Sequence, residues 1–164
     1  MSKIPIECAR ELVQKYNTRD PFELCSELGI EVRFKDIGSL RGFYTVIKGE
    51  RFIVISEALS ESEARSVCAH ELGHDRLHRE LALDSGLRDI FLFQMNPKCE
   101  YESNRFAAEL LLDEGELDEL VALEYGIPQI AQCMGVYEDL VRLKLSAKYG
   151  ETVKDGYDPA FLKK

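Results

Sequence analysis

The sequence lacks the features typical of secreted, membrane-spanning or disulfide-linked proteins. It has no tryptophan, and its five cysteines are odd in number and never form a CxxC pair, which favours reduced thiols. No apolar run reaches the roughly eighteen residues of a membrane helix, and the N-terminal MSKIPIECAR lacks the apolar stretch of a secretory signal. We therefore expect a cytoplasmic protein without a membrane segment.

Positive charge is also in short supply. The chain has 21 Lys and Arg residues against 30 Asp and Glu residues, a formal net charge of −9. The resulting field repels phosphate groups, so direct binding of nucleic acid and of anionic membranes is disfavoured. A basic protein partner is favoured instead.

Length and hydropathy pattern predict a single α+β domain. The chain has 164 residues, enough to bury one sizeable core, and it carries no internal repeat or low-complexity tract. We expect the main core at residues 1–112 and a C-terminal helical subdomain of the same domain at 113–150. Residues 151–164 are predicted to form a flexible tail.

The first part of the chain changes from helical to strand periodicity. Apolar residues at helical spacing predict a helix over 6–16, and Asp20-Pro21 has the pattern of a cap followed by a first helical turn. Alternation with a period of two begins at Ile30, and GFYTVIKGERFIVIS predicts a hairpin with its turn at 48–50. A strand followed by a hairpin predicts a small three-stranded sheet.

Helices are predicted throughout the rest of the chain. Ser60 opens a capping-box pattern, and the helix that follows should run to about Leu81. Asn96-Pro97 predicts the start of another helix, which should continue through Leu112. Three shorter helices follow, separated by Gly126 and Gly135.

The stretch CAHELGHDRLH contains all three histidines of the chain. His70 and His74 are four positions apart, so on a helix their rings are about 40° apart around the axis and about 6 Å along it, close enough to bind one ion. Glu71 follows the first histidine, where a carboxylate can accept a proton from metal-bound water. This HExxH pattern predicts a zinc site with Glu71 as the general base.

The third metal ligand has to come from another helix, and CEYESNRFAAELL offers three glutamates. Glu102, Arg105 and Glu109 recur on one stripe, a pattern typical of a solvated row of ion pairs. Glu100 shares its face with small or apolar residues, which lets another helix approach. We predict Glu100 as the third ligand and keep Glu102 as the alternative.

Three further residues are candidates for supporting roles near the metal. Asn104, one turn after Glu100, could bind the second ring nitrogen of a ligand histidine or only pack between helices. His78 lies about 12 Å along the helix from His70 and rotated by about 80°, too far for one ion to bind all three histidines. His78 and Tyr44 remain candidates for stabilising the oxyanion of a transition state.

The motif HELGHxxLH, followed about thirty residues later by E-x-x-x-N-x-FAAELL, resembles the ImmA/IrrE family of small zinc metallopeptidases. The resemblance extends over about residues 6–148 and includes the GFY…FIVIS hairpin. It implies a zincin-like fold of the gluzincin type, with one zinc ion per chain on His70, His74 and Glu100 and with Glu71 as base. It also implies cytoplasmic cleavage of a helix-turn-helix repressor, which derepresses a mobile element or stress genes.

The chain differs from the family pattern at Ser103, where alanine is usual, and at Leu112-Asp113, where many members have Met-Pro. Two other functions remain open. The protein could be a non-catalytic antirepressor that sequesters its repressor and uses zinc only for folding. It could also be a DNA-binding regulator, because residues 130–145 have helix-turn-helix spacing, although they carry few basic residues.

Overall fold

The computed structural model describes residues 4–83 and 96–149, and these residues form seven helices and a three-stranded sheet. The predicted tail at 151–164 lies outside the described residues. The α+β fold with a small three-stranded sheet is confirmed. In chain order the elements are α1 (Pro5–Tyr16), α2 (Pro21–Glu27), β1 (Glu31–Lys35), β2 (Gly42–Ile47), β3 (Glu50–Ser56), α3 (Glu61–Leu83), α4 (Pro97–Leu111), α5 (Glu114–Ala122), α6 (Ile127–Met134) and α7 (Glu138–Tyr149).

The sheet has the order β1-β3-β2. The predicted hairpin joins β2 and β3 in antiparallel register, and its turn residues Lys48 and Gly49 both have positive φ angles, as a tight type I′ turn requires. Strand β1 pairs with β3 in parallel, from Glu31 opposite Phe52 to Lys35 opposite Ser56. Strand β2 is consequently an edge strand.

Helix α3 begins at the predicted capping box. The backbone N–H of Ser60 donates to Glu63 at 2.9 Å, and the Glu63 N–H lies 3.4 Å from the Ser60 hydroxyl oxygen. The helix is two residues longer than predicted and ends at Leu83. At His78 the backbone leaves helical geometry (φ −129°, ψ 15°), so α3 is kinked one turn after His74.

Helices α3 and α4 cross in close contact at Gly73. A Cβ atom on this glycine would lie 3.1 Å from Cα of Ser103 and 3.2 Å from the ring of Phe106. Such distances are shorter than ordinary carbon–carbon contacts, so a side chain at position 73 would push the helices apart. The absence of a side chain lets α4 lie directly beside the histidines of α3.

The C-terminal helices share the hydrophobic core of the rest of the protein. Leu117 on α5, Ile130 on α6 and Leu140 on α7 are buried in one cluster with Leu24 and Ile53. Asp113 caps α5 by accepting hydrogen bonds from the backbone of the first turn. The division at residue 112 remains a prediction.

The polar stripe of α4, formed by Glu102, Arg105 and Glu109, is not the solvated row of ion pairs that the sequence suggests. Glu109 is only 7% exposed, and its carboxylate binds Lys144 of α7 and Arg10 of α1. The interpretation was wrong at this position because α1 and α7 cover the face of α4 that carries Glu109. Among the described helices, none is both long enough and apolar enough to cross a membrane.

Candidate metal centre

His70, His74 and Glu100 form one buried group between α3 and α4. Their candidate ligand atoms all lie within 4.8 Å of one another, and each residue is at most 2% exposed. The two Nε2 atoms are 3.0 Å apart. Glu100 Oε2 lies 3.4 Å from Nε2 of His70, and Glu100 Oε1 lies 3.2 Å from Nε2 of His74.

The chemistry of these donors fits a divalent metal ion. Two imidazole nitrogens and a carboxylate are a ligand set typical of catalytic zinc. Oε1 of Glu100 is buried, and because its close contact with Nε2 of His74 lacks the geometry of a hydrogen bond, it has no hydrogen-bond partner among the described residues. Because a buried polar atom without a partner is costly, an ion between these atoms would satisfy it. That the three residues bind a metal remains a prediction.

Burial and mutual contact shift the pKa values of the three residues. Burial lowers the pKa of His74 to about 3, although the contact with Glu100 opposes this. Burial would raise the pKa of Glu100, but its contacts with His70 and His74 outweigh burial and lower that pKa to about 2. A neutral imidazole and an ionised carboxylate are the protonation states that bind metals.

Glu71 lies beside this group but is not part of it. The side chain is on α3, only 5% exposed, and it accepts a hydrogen bond from the backbone N–H of Tyr44 on β2. Burial raises the pKa of Glu71 to about 7, which the neighbouring His70 opposes and Glu100 reinforces. A carboxyl group with this pKa can both accept and release a proton near neutral pH.

Each histidine of the group has a second contact at its other ring nitrogen. Nδ1 of His70 lies 2.7 Å from Oδ1 of Asn104, so the contact expected of Asn104 is present. Nδ1 of His74 lies 3.0 Å from Oγ of Ser103 and 3.3 Å from Nδ1 of His78. Contacts of this kind fix the orientation and tautomer of histidines that bind metals.

The sequence matches the family described as the IrrE N-terminal-like domain, a peptidase family, over residues 25–146. It is 36% identical over 136 residues to the uncharacterized immunity region protein 2 of Bacillus phage phi105. This alignment covers 82% of this chain and 85% of the phage protein. It is 28% identical over 141 residues to the metallopeptidase ImmA of Bacillus subtilis strain 168. This second alignment covers 84% of this chain and 81% of ImmA. The chain belongs to the ImmA/IrrE family.

Membership of the ImmA/IrrE family confirms the resemblance and the zincin-like fold class. It also indicates a metallopeptidase with a bound metal ion, and the group of His70, His74 and Glu100 is compatible with that. The identity of the metal and the roles of single residues remain predictions.

Glu102 and His78 of this ImmA/IrrE protein bind each other. Nε2 of His78 lies 2.9 Å from Oε2 of Glu102, and both lie outside the group of three. Burial lowers the pKa of His78, and Glu102 opposes this only in part. Glu102, the alternative ligand, therefore has a partner of its own.

Another buried carboxylate, Asp75, was missed by the sequence analysis. The Tyr44 hydroxyl donates to its Oδ1 at 2.9 Å, Arg51 binds both oxygens at 3.1 Å, and Arg79 lies 3.0 Å from Oδ2. The Tyr44 hydroxyl, a predicted transition-state stabiliser, is thus bonded to Asp75. An aspartate directly after the second histidine of HELGH was the available signal, but its partners on β2 and β3 are distant in sequence.

Proposed function

We propose that the protein is a zinc-dependent endopeptidase that cleaves a helix-turn-helix repressor and thereby derepresses a mobile element or stress genes. The buried group of His70, His74 and Glu100, with Glu71 beside it, is the observation that carries this proposal. The relatives support it, because one is named an immunity region protein and the other a metallopeptidase. We place the protein in the cytoplasm, where such a repressor acts.

The chemistry of peptide hydrolysis divides between the ion and the side chains. His70, His74 and Glu100 would hold the zinc ion, which would supply a water molecule with its pKa lowered to about 7 and a positive charge for the scissile carbonyl group. Glu71 takes the proton of the attacking water and later delivers it to the leaving amine. The backbone N–H of Tyr44 holds the Glu71 carboxylate towards β2. Asn104 keeps the proton of His70 on Nδ1, which leaves Nε2 free for the ion.

Charge and ion pairing favour a protein as the partner over DNA. The net charge of −9 would attract the basic surface of a DNA-binding domain. The basic residues of α7 are engaged within the protein: Lys144 is buried against Glu109, Lys148 binds Asp118, and Arg142 lies 3.9 Å from Asp139. A recognition helix needs its cations free for phosphates and bases. We therefore expect no direct binding of nucleic acid.

Substitution of the proposed base separates cleavage from sequestration. We expect Glu71→Gln to abolish cleavage while one zinc ion stays bound, because it removes the proton acceptor and leaves the ligands in place. The measurement is co-expression with a candidate helix-turn-helix repressor, followed by mass measurement of that repressor and of its fragments. Bound zinc is determined by elemental analysis of the purified variant.

Two further variants complete this experiment. His74→Ala should lose both zinc and cleavage, and Glu80→Gln, at an exposed position of α3, should retain both. If Glu71→Gln still relieves repression while the repressor stays intact, the protein is an antirepressor that acts by sequestration.

A further inference from the structure

His78 and Glu102 form a pair that has no role in the proposed hydrolysis. His78 is only 7% exposed, and the kink of α3 occurs at this residue. Its two ring nitrogens have different neighbours: Nε2 lies 2.9 Å from Oε2 of Glu102, and Nδ1 lies 3.3 Å from Nδ1 of His74. The pair thus connects an acidic side chain of α4 to one of the proposed metal ligands.

The chemistry of the two contacts determines where the protons lie when a metal is bound. An ionised carboxylate can only accept hydrogen bonds, so the proton of His78 is on Nε2, facing Glu102. Nδ1 of His78 then carries a lone pair and can accept a hydrogen bond. His74, with Nε2 directed at Glu100 and the ion, carries its proton on Nδ1 and can donate it.

We infer that His78 and Glu102 are positioning residues, which hold His74 in the tautomer and orientation that present Nε2 to the metal. The inference rests on the proposed metal site but not on cleavage of any substrate. It gives each ligand histidine a contact that leads to α4: Asn104 contacts His70 directly, and Glu102 acts on His74 through His78. It also accounts for Glu102 lying close to the site without belonging to the ligand group.

Ser103 is the other neighbour of His74 and could perform the same task alone. Its Oγ lies 3.0 Å from Nδ1 of His74, and the residue is fully buried. Both acceptors can share one N–H, so the two contacts are compatible. The experiment therefore has to compare the loss of His78 with the loss of Ser103.

Metal affinity is the test, measured by competition of zinc with a chelator on purified full-length protein. We expect His78→Leu and Glu102→Ala each to weaken zinc binding about 10- to 100-fold, the usual effect of removing such a partner. His78→Asn should recover part of the loss, since its amide oxygen can take the place of Nδ1 as acceptor. Ser103→Ala should have a smaller effect than His78→Leu.

Glu80→Ala is the matched control for Glu102→Ala, because both variants remove one glutamate. Glu80 is exposed and lies two residues after His78 in sequence. The control variant should bind zinc as tightly as the wild type. The thermal unfolding of each metal-free variant is measured separately, so that a loss of fold is not counted as a loss of affinity. Glu102→Ala, at the more exposed end of the pair, keeps the test valid if His78→Leu does not fold.

Nuclear magnetic resonance of 15N-histidine-labelled, zinc-loaded protein adds a readout that packing alone would not change. It should show His78 protonated at Nε2 and bare at Nδ1. A proton on Nδ1 of His78 would overturn the inference, as would unchanged zinc affinity of His78→Leu and Glu102→Ala. Wild-type protein that binds zinc but cleaves no repressor would refute the endopeptidase and leave this inference intact. Wild-type protein that binds no zinc would overturn both.

Discussion

Two glutamates of α4, only two positions apart, have different surroundings. Glu100 is 2% exposed and faces His70 and His74 of α3, whereas the Glu102 side chain is 19% exposed and binds His78. On an α-helix a separation of two places side chains on different faces. The structure therefore separates a candidate ligand from a candidate positioning residue by geometry alone.

The different surroundings of Glu100 and Glu102 predict different zinc contents for variants of the two residues at saturating zinc. Glu100→Ala should lower the zinc content well below one ion per chain, because only the two histidines would remain as ligands. Glu102→Ala should still bind one ion, although with weaker affinity. Elemental analysis after dialysis against excess zinc measures both. Loss of the ion from Glu102→Ala alone would move the third ligand to Glu102.

At the scale of secondary-structure elements, the contact between α3 and α4 brings the three candidate ligands together. Gly73 lies between His70 and His74 in sequence, and the backbone of Ser103 is in close contact with it. Packed helices relax only in part when a methyl group is inserted between them. The distance between the helices is thus linked to the geometry of the site.

Gly73→Ala should lower both stability and metal affinity. Crowding against Ser103 and Phe106 costs about 1–3 kcal/mol, and the better helix propensity of alanine returns up to about 1 kcal/mol. Urea unfolding of the metal-free protein and chelator competition measure the two effects. Gly115→Ala is the control, since there the new methyl group meets only a side-chain oxygen of Asp113 at 3.3 Å. Equal behaviour of the two variants would contradict the close helix contact.

Local sequence signals predicted most elements, and non-local contacts explain what they missed. The cap at Asn96 and the capping box at Ser60 act over three or four residues, so they can be read from the chain directly. The parallel pairing of β1 with β3 and the contact of Tyr44 with Asp75 join residues that are distant in sequence. No periodicity along one segment encodes such contacts.

Candidate ligands were predictable because HExxH is a spacing on one helix, and Glu100 followed from the small residues around it. The burial of Glu109 was not predictable in this way. The sequence pattern of the polar stripe on α4 is the same whether water or other helices cover the stripe. In the structure, α1 and α7 cover Glu109 and supply its partners Arg10 and Lys144.

For the whole molecule, Glu109 is a buried connection between α4, α1 and α7. Its carboxylate binds Lys144, which is 8% exposed, and accepts a hydrogen bond from Arg10 at 2.8 Å. Burial would raise the pKa of Glu109, but these two partners outweigh burial and lower it. Helix α4 is thus attached to both ends of the described chain.

Glu109→Gln should destabilise the protein at pH 7 by about 3–5 kcal/mol, because it leaves Lys144 charged and buried. Since the pKa of Glu109 is lowered by folding, its contribution is complete above its ordinary value of about 4.5 and is lost as pH falls through the folded-state value. The difference between wild type and variant should therefore shrink in acid. Urea unfolding at pH 7 and at several values below 4.5 measures it.

Asp118→Asn provides the comparison for this prediction. Asp118 also pairs with a lysine of α7, but its side chain is 48% exposed, so its loss should cost less than about 1 kcal/mol. Similar costs for the two variants would show that the burial of Glu109 does not matter to stability.

The proposed ligands lie on two different helices, α3 and α4, so a bound ion would also be a cross-link between them. Anything that binds only the folded state shifts the folding equilibrium towards it. Unfolded chains are removed by cellular proteases, and small changes in stability alter the amount of protein that persists. A cell short of zinc would then hold less of this protein, and not only a less active form of it.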